Sequence, residues 1–263
     1  MQSELSIACH LGRVAYRPTW ALQEAVKDRL IQGKKSHTHV PHVLLLLEHP
    51  PVFTMGKSGD DQHLLAPGNA EVVYIDRGGD VTYHGPGQLV AYFLLDLDRF
   101  YRDLHRFMRD LEEVVLRTLS EYNLVGFRVP GRTGVWVGTE GFERKICAFG
   151  IHASRWVTTH GLALNVYPDL DYFNRITPCG ISDRGVTSIV QELNRSCNLD
   201  EVSNFVVHHF DEVFGAKSQI LHGSDAYAYL EDLTGQQNLQ ASLAVSEKAR
   251  NPIGEHPGEI KSS

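Results

Sequence analysis

Apolar residues recur at helical spacing in two long segments of the chain. In residues 18–33 they recur about every four positions, which places them on one face of a helix, and Gly33 is a plausible stop. Residues 101–123 carry the longest such stripe and are the clearest helix that the pattern predicts. Residues 187–195 and 200–214 are predicted to form two closing helices.

Short apolar runs between these helices predict strands. The five aliphatic residues Val43–Leu47 form an unbroken apolar run shortly after Pro41, as is typical of a strand buried on both faces. Because strands dominate the middle of the chain and helices flank them, we predict an α+β (α/β) fold with a mostly antiparallel or mixed sheet. The other predicted strands are Val72–Ile75, Leu89–Leu94, Gly134–Gly138, Lys145–Ala153 and Val157–Val166.

The pattern fails after about residue 235. Residues 236–263 contain no aromatic side chain, mix Gln, Ser, Glu and Lys, and carry two prolines. A segment of this composition buries too little apolar surface to fold by itself. We therefore predict one domain over residues 1–235 and a flexible C-terminal tail over residues 236–263. The whole chain of 263 residues is long enough for that domain to bury a proper core.

Composition and charge exclude several classes of protein. The net charge of −7 argues against a protein whose main task is to grip nucleic acid. No stretch approaches the roughly 18 apolar residues of a membrane span, and the first residues lack the basic-then-apolar layout of a signal peptide. We therefore expect a cytoplasmic protein with neither a nucleic-acid partner nor a membrane partner.

One stretch departs from the acidic average. Residues 125–157 hold five basic side chains and two acidic ones. This excess is compatible with a face that meets an acidic partner, although solvated strand ends are the commoner meaning of such a count. The basic residues are Arg128, Arg132, Arg144, Lys145 and Arg155.

The cysteines and histidines do not predict a metal site. Four cysteines, at positions 9, 147, 179 and 197, are too few and too scattered for a disulfide framework. There is no Cys-x-x-Cys pair, so a structural zinc site has no support. Three close histidines, His37, His39 and His42, lie in a polar loop where nothing orients them, and we expect no metal.

A glycine-rich connection, Arg77–Gln88, separates two of the predicted strands. Its four glycines let the backbone approach a ligand closely or adopt positive φ. The segment is neither a Walker loop nor a GxGxxG motif. An elaborate hairpin turn would explain the glycines alone, whereas a binding loop would also explain the Arg, Thr, Tyr and His clustered there. The residues by themselves leave both interpretations open.

Two further segments contain a lysine and a cysteine of interest. Strand alternation predicts that Lys145, Cys147 and Phe149 share one face of their strand, with Cys147 as packing. A lysine that begins an apolar strand is usually a residue whose ammonium reaches solvent. Cys179 lies between a proline and a glycine, which predicts a tight turn, and it is the cysteine to test for reactivity.

These segments together resemble the octanoyltransferase family, the lipoyl(octanoyl) transferases that begin protein lipoylation. The resemblance runs from about Leu11 to Phe214, with several motifs in the expected order, and leaves the tail outside it. It implies the fold shared by biotin and lipoate protein ligases. The motifs are Glu48–Gly56, Arg77–Gln88, Lys145–Gly150, Thr159–Asn165 and Pro178–Ile181.

The resemblance also implies an activity and its partners. An octanoyl group would move from octanoyl-acyl carrier protein, through a cysteine thioester, to a lysine of a lipoyl domain. The acceptors would be the lipoyl domains of 2-oxoacid dehydrogenase E2 subunits and the glycine cleavage H protein. No cofactor of the enzyme itself is expected, because the donor is carried on the phosphopantetheine of the carrier protein.

The motifs assign roles to particular residues. Cys179 would be the nucleophile and Lys145 its acid/base partner, although by bare chemistry His84, His152 or His160 would serve as well as the lysine. Family members often carry a polar residue where this chain has Ala148, which leaves the role of that side chain open. The predicted acyl pocket consists of Arg77, Gly78, Gly79, Asp80, Val81, Thr82, Tyr83, His84, Ala148, Phe149, Gly150, Gly161, Leu162 and Ala163.

The implied chemistry suits a cysteine next to a lysine. Only about 5% of an ordinary cysteine is thiolate near neutral pH, and a neighbouring ammonium favours that form. A covalent thioester stores the acyl group without ATP and lets two protein substrates use one site in turn. Two other functions remain alternatives: an ATP-dependent lipoate or biotin protein ligase, which shares the fold, and a non-catalytic acyl-binding relative.

Overall fold

The computed structural model describes residues 3–177 and 185–245. Within these ranges the chain forms twelve strands and six α-helices, and each of the six predicted strands has a counterpart among them. The strands are β1 (Glu4–Arg13), β2 (His42–Glu48), β3 (Val52–Met55), β4 (Glu71–Tyr74), β5 (Val81–His84), β6 (Gln88–Leu94), β7 (Phe127–Val129), β8 (Arg132–Val137), β9 (Arg144–Ser154), β10 (Val157–Asn165), β11 (Gly185–Val186) and β12 (Ala216–His222). The helices are α1 (Tyr16–Ser36), α2 (Leu104–Ser120), α3 (Ile189–Leu193), α4 (Leu199–Phe214), α5 (Gly223–Thr234) and α6 (Leu239–Leu243).

Nine of the described strands form one mixed sheet. Its order is β12-β1-β2-β6-β10-β9-β8-β7, and β11 pairs with β9 off this path. The pairings from β2 to β7 are antiparallel, whereas β12, β1 and β2 run parallel to one another. Strands β4, β3 and β5 form a second, small sheet. The predicted α+β fold, with a mostly antiparallel sheet flanked by helices, is confirmed.

The core lies on both faces of the main sheet. One cluster of buried side chains packs α2 and α4 on one face, and a second packs α1, α5 and α6 on the other. Strand β2 shows how the sequence produces both clusters. Its residues Leu44 and Leu46 belong to the first cluster, and Val43, Leu45 and Leu47 belong to the second. The uninterrupted aliphatic run is therefore buried on both faces, as predicted.

Helix α1 extends beyond its predicted end. Gly33 does not stop the helix, which continues to Ser36 and ends where His37 adopts the left-handed conformation at φ 56°. The glycine serves packing instead: a Cβ at this position would lie 2.6 Å from a methyl carbon of Val40. The prediction of a stop at Gly33 is wrong because the absent side chain makes room for the returning chain.

The beginning of the predicted tail is part of the fold. Leu239 and Leu243 of α6 are buried in the cluster that contains α1 and α5, and the carbonyl of Leu243 accepts a hydrogen bond from the Ala15 N–H at 2.8 Å. The prediction of a flexible tail is therefore wrong for residues 236–245. Residues 246–263 lie outside the described residues.

No helix among residues 3–177 and 185–245 is both long and apolar enough to cross a membrane. The three histidines considered for metal binding do not share a site. His42 is buried at the start of β2, where its Nδ1 accepts a hydrogen bond from the Asp96 N–H at 3.2 Å. His37 ends α1, and the His39 ring lies 2.6 Å from Arg99 Nη2.

Candidate active site

The glycine-rich connection is clamped between the small sheet and the main sheet. The Gly78 N–H donates to the carbonyl of Ile151 on β9 at 3.0 Å, and the Arg77 guanidinium donates to the carbonyl of Thr54 on β3 at 2.7 Å. A Cβ on Gly56 would lie 2.3 Å from the carbonyl oxygen of Gly79. Hydrogen bonds thus hold the loop between β3 and β9, and its glycines allow the close approach of the backbone.

A cavity of about 620 Å³ lies between this loop and the main sheet. Every residue of the predicted acyl pocket except Tyr83 lines it, and so does Lys145. The sequence motifs therefore converge on one concave site of a size typical of small-ligand pockets. The lining residues that the sequence reasoning did not name as pocket residues are Tyr16, Gln88, Tyr92, Met108, Gly131, Arg132, Thr133, Ile151, His160, Asn165, Phe173 and Val186.

Tyr83 has a different place from the one predicted. Its ring is 1% exposed and stacks on the ring of Tyr172 at 4.5 Å between centroids, in a cluster with Phe53 and Ile176. Side chains alternate along β5, so Thr82 and His84 lie on the other face of that strand and line the cavity. Tyr83 therefore stabilises the small sheet from behind the pocket.

A β-bulge determines where Lys145 lies. Trp136 is the partner of Lys145 and Val135 is the partner of Cys147, so Ile146 is one extra residue on β9. The extra residue interrupts the alternation that the sequence predicts. Ile146 and Cys147 both enter the core cluster beneath the sheet, whereas Lys145 lines the cavity. The expectation that Lys145 and Cys147 share a face is wrong, and the bulge is the reason.

Cys179 lies outside the described residues, in the segment 178–184. Both flanks of this segment reach the cavity: Phe173 on one side and Val186 on the other are lining residues. Val186 pairs with Lys145 in the parallel contact of β11 with β9, and the Thr187 N–H donates to the Lys145 carbonyl at 3.0 Å. Val186 and Thr187 are thus fixed beside Lys145.

The other three cysteines have raised pKa values. Burial raises the pKa of Cys9 to about 12, and burial raises that of Cys147 well above its ordinary value. Both thiols are 0% exposed. Burial also raises the pKa of the half-buried Cys197 thiol. A low thiolate fraction makes each of them a poor nucleophile, and the prediction that Cys147 is a packing residue is confirmed.

Hydrogen bonds fix the histidines that line the cavity. His160 adopts positive φ (62°), and its Nε2–H donates to Asp76 at 2.9 Å. Burial lowers the pKa of His160, while the hydrogen bond from His160 lowers the pKa of Asp76 to about 2. His84 donates through Nδ1 to Gln88 at 2.9 Å, and burial lowers its pKa to about 3. Both imidazoles are therefore neutral at physiological pH.

Two of the motif glycines are required by packing. A Cβ on Gly161 would lie 2.1 Å from the carbonyl oxygen of Ala91 on the neighbouring strand. A Cβ on Gly150 would lie 2.8 Å from the Cδ of Arg77. Gly150 thus makes room for the arginine of the loop, and Gly161 permits β10 to approach β6. The space that Gly161 leaves is used by the sheet itself.

The basic stretch divides into two groups in the structure. Arg155 lies at the turn between β9 and β10, at the opposite end of β9 from Lys145. Arg128 donates to the carboxylates of Glu112 and Glu113, and Arg144 forms a two-pronged pair with Glu192. Part of the basic excess is therefore compensated within the chain, at the edge where β7, β8 and β9 meet.

Several lining residues had no local signal in the sequence. Tyr16 begins α1 and Tyr92 lies mid-strand in β6, where each reads as an ordinary core residue. Met108 belongs to the apolar stripe of α2. Asn165 is the last residue of β10 and of the motif Thr159–Asn165, and it donates to the carbonyl of Thr187 at 3.0 Å. Its place in that motif could have indicated that it belongs to the site.

The fold and the cavity define a class of enzyme. Residues 15–211 match the sequence profile of the family described as the lipoyl protein ligase A/B catalytic domain. Two solved structures share the fold at 14–16% sequence identity. The bi-partite lipoate protein ligase from Thermoplasma acidophilum has a TM-score of 0.62, covering 93% of this chain and 99% of that one. A lipoate-protein ligase A bound with ATP has a TM-score of 0.61, covering 93% and 100%.

The sequence is also similar to relatives in one branch of that class. The octanoyltransferase of Christiangramia forsetii is 48% identical, over 82% of this chain and 98% of the relative. The octanoyltransferase of Gloeobacter violaceus is 46% identical, over 79% and 90%. The chain therefore belongs to the lipoyl protein ligase A/B catalytic-domain family and, within it, to the octanoyltransferases. It is an acyltransferase, and the resemblance found in the sequence is confirmed.

Proposed function

We propose that this enzyme transfers an octanoyl group from octanoyl-acyl carrier protein to a specific lysine of lipoyl domains, through a thioester on Cys179. The acceptors are the lipoyl domains of 2-oxoacid dehydrogenase E2 subunits and the glycine cleavage H protein. The reaction takes place in the cytoplasm and uses no cofactor of the enzyme's own.

The observation that carries this proposal is the convergence of the motifs on one cavity with Lys145 in its wall. Phe173 and Val186, on either side of the segment that contains Cys179, line the same cavity. Six residue steps separate Cys179 from Gly185, and a chain of that length spans at most about 20 Å. Chain length therefore permits Cys179 to reach Lys145, whose strand partner is Val186.

In the first step, the Cys179 thiolate attacks the octanoyl carbonyl carbon. A new C–S bond forms, the C–S bond to phosphopantetheine breaks, and the carrier sulfur leaves with the electron pair. It takes up a proton from the Lys145 ammonium, which leaves the lysine neutral for the second step. One thioester replaces another, so the step needs no external energy source. The Lys145 ammonium favours the attacking thiolate electrostatically.

In the second step, the ε-amino group of the acceptor lysine attacks the Cys179 thioester. An amide C–N bond forms, the C–S bond breaks, and Cys179 leaves as thiolate. The acceptor arrives mostly protonated, so it loses one proton before the attack and a second as the amide forms. Lys145 accepts one of these protons in its neutral form, and the thiolate or water takes the other.

The positions of the histidines support Lys145 as the acid/base group. His160 pairs with Ile151, which lies six residues along β9 from Lys145. Allowing for the extra residue of the bulge, this separation is about 16 Å along the strand. His84 is already engaged with Gln88, and His152 is not among the cavity-lining residues. His152 and His160 lie toward the end of β9 away from Lys145, where the acyl tail would lie.

The edge formed by β7, β8 and β9 supports the choice of an acidic carrier protein as donor. Arg132 and Lys145 line the cavity at this edge, whereas Arg128 and Arg144 are paired with carboxylates of the chain itself. Opposite charges steer encounters between proteins and are screened by salt. The KM for the carrier protein should rise with salt concentration, and a salt-independent KM would contradict this docking edge.

The test of the function is transfer without ATP. Purified enzyme, octanoyl-acyl carrier protein and apo lipoyl domain are incubated, and the mass of the lipoyl domain is measured. The proposal predicts a domain heavier by one octanoyl group. Modification only after ATP and free octanoate are added would establish a ligase instead. Binding of the donor with no modification under either condition would establish a non-catalytic acyl-binding protein.

A further inference from the structure

Trp136 lies directly opposite Lys145 across the β8–β9 pair. Directly opposed residues of an antiparallel pair project from the same face of the sheet. The bulge at Ile146 is what brings the lysine to this position, because regular pairing would have placed a different residue of β9 opposite the indole. The local geometry of the two strands therefore presents the lysine side chain to the tryptophan ring.

The ammonium of Lys145 lies over the indole of Trp136, with 4.8 Å between Nζ and the ring centroid. This distance is within the range of an attractive cation–π interaction, which is strongest for tryptophan. The indole is 1% exposed, so water competes little for that ring face. Its Nε1–H has no hydrogen-bond partner among the described residues, so what the indole offers at this position is its π face and its bulk.

Gly134 makes room for the lysine stem. A Cβ at Gly134 would lie 3.1 Å from Cε of Lys145 and 3.0 Å from the carbonyl oxygen of Cys147. Gly134 has φ 134°, a value that favours glycine. Its N–H donates to the buried carboxylate of Glu112 on α2 at 3.1 Å. The strand that carries Trp136 is thereby tied to the helix beneath the sheet.

From this geometry we propose that Trp136 is a positioning residue: its indole holds the Lys145 ammonium at the cavity wall in the orientation that the acyl transfer uses. The proposal rests on the acid/base role of Lys145 in the proposed function. It assigns no chemistry to Trp136, which acts only through the lysine. Trp136 lies outside the sequence motifs and is not among the residues that line the cavity.

The first test compares two variants that differ in the aromatic ring. Trp136→Phe keeps a π face, whereas Trp136→Met keeps an apolar side chain without one. Trp20→Met is the control for the loss of a tryptophan elsewhere in the fold. Trp20 is half-buried, its Nε1–H also lacks a partner among the described residues, and it is not a cavity-lining residue. All variants are assayed for kcat, carrier-protein KM, pH profile and Tm.

We expect Trp136→Met to lower kcat about three- to tenfold, as the loss of one cation–π contact predicts, with an unchanged carrier KM. Trp136→Phe should recover most of that loss, and Trp20→Met should show none of it. Because the ammonium form loses stabilisation in Trp136→Met, the limb of the pH profile that reports Lys145 should move to lower pH. Equal kcat values and pH profiles for Trp136→Met and Trp136→Phe would overturn the proposal.

A second measurement is independent of turnover and of changes in packing. In a Trp20→Phe, Trp156→Phe background, Trp136 is the only tryptophan and can be replaced by its fluorinated analogues, which weaken the π face at nearly constant shape. The rate at which Lys145 is labelled by pyridoxal phosphate and borohydride is then measured by peptide mass. Labelling should rise with each added fluorine. A constant labelling rate would overturn the proposal even if the enzyme proved to be a ligase.

Discussion

Val186 and Lys145 are register partners in the parallel contact of β11 with β9. The Thr187 N–H also donates to the Lys145 carbonyl, so the contact is held by the backbone of the lysine. The side chain of Lys145 is therefore left to the cavity, where it is half-buried. A substitution that removes the Lys145 side chain therefore keeps the backbone contact with Thr187.

Lys145→Ala should slow acyl transfer strongly and change stability little. The substitution keeps the backbone hydrogen bond to Thr187 and removes a half-buried side chain whose ammonium contacts Trp136. Loss of a positioned acid/base group costs about 10²- to 10⁴-fold in rate. Single-turnover acylation and a thermal melt of the same preparation provide the check. Wild-type rates in the variant would reduce Lys145 to a strand-end residue.

Gly161→Ala should destabilise the enzyme, whereas Gly78→Ala should not. A Cβ on Gly161 would lie 2.1 Å from the Ala91 carbonyl oxygen, and overpacking of this kind costs about 1–3 kcal/mol. A Cβ on Gly78 meets only the Ile151 carbonyl, at an ordinary 3.6 Å. Denaturant unfolding of the two variants measures the difference. Equal midpoints would show that the strands β6 and β10 can separate without cost.

Thiol reagents should distinguish the described cysteines by burial. Cys9 and Cys147 are fully buried with raised pKa values, so alkylation of the native protein should leave both unmodified. Cys197 is half-buried and should react slowly. Peptide mapping after a timed iodoacetamide pulse measures how fast each cysteine is alkylated, with a denatured sample as the control. Rapid labelling of Cys147 would contradict its place in the core.

The stability of the fold should fall as the solution is acidified below pH 6.5, in part through His49. Its Nδ1–H donates to the Val14 carbonyl at 2.8 Å and its Nε2 accepts from the Tyr92 hydroxyl at 2.8 Å. Burial lowers the pKa of His49 from 6.5 to about 4. Between these values the unfolded chain takes up a proton that the folded chain refuses, so stability is lost as the pH falls.

His49→Gln should reduce this pH dependence while also lowering stability at neutral pH. The slope of unfolding free energy against pH, between 6.5 and about 4, should decrease by up to about 1.4 kcal/mol per pH unit. Urea titrations at a series of pH values measure the slope for both proteins. An unchanged slope would mean that His49 is protonated in the folded state.

Much of the fold could be predicted because the main sheet is built from long, uniform patterns. The run Val43–Leu47 is buried on both faces, and the stripe in residues 101–123 became α2. Strand β1 and strand β12 were missed. β12 lies at an exposed edge, where alternation of apolar and polar residues is weak, and it is held by its pairing with β1. A strand that is stabilised by pairing with a partner more than 200 residues away need not show a strand pattern in its own sequence.

The candidate site could be predicted as a set of motifs but not as a geometry. The glycines of Arg77–Gln88 marked a special backbone, and the structure shows that β3 and β9 hold it. What sequence reasoning could not supply is the bulge at Ile146, which reverses the expected face of Lys145. One additional residue moves every later side chain of a strand to the opposite face. The composition of β9 does not indicate where that residue is inserted.

The most direct test of the account is the covalent intermediate. Enzyme exposed to octanoyl-acyl carrier protein without acceptor is analysed by intact mass and peptide mapping, for the wild type and Cys179→Ser. The account predicts one octanoyl adduct per chain, removed by hydroxylamine, located on Cys179 and absent from the variant. An adduct on Cys9, Cys147 or Cys197, or an adduct that persists in Cys179→Ser, would contradict it.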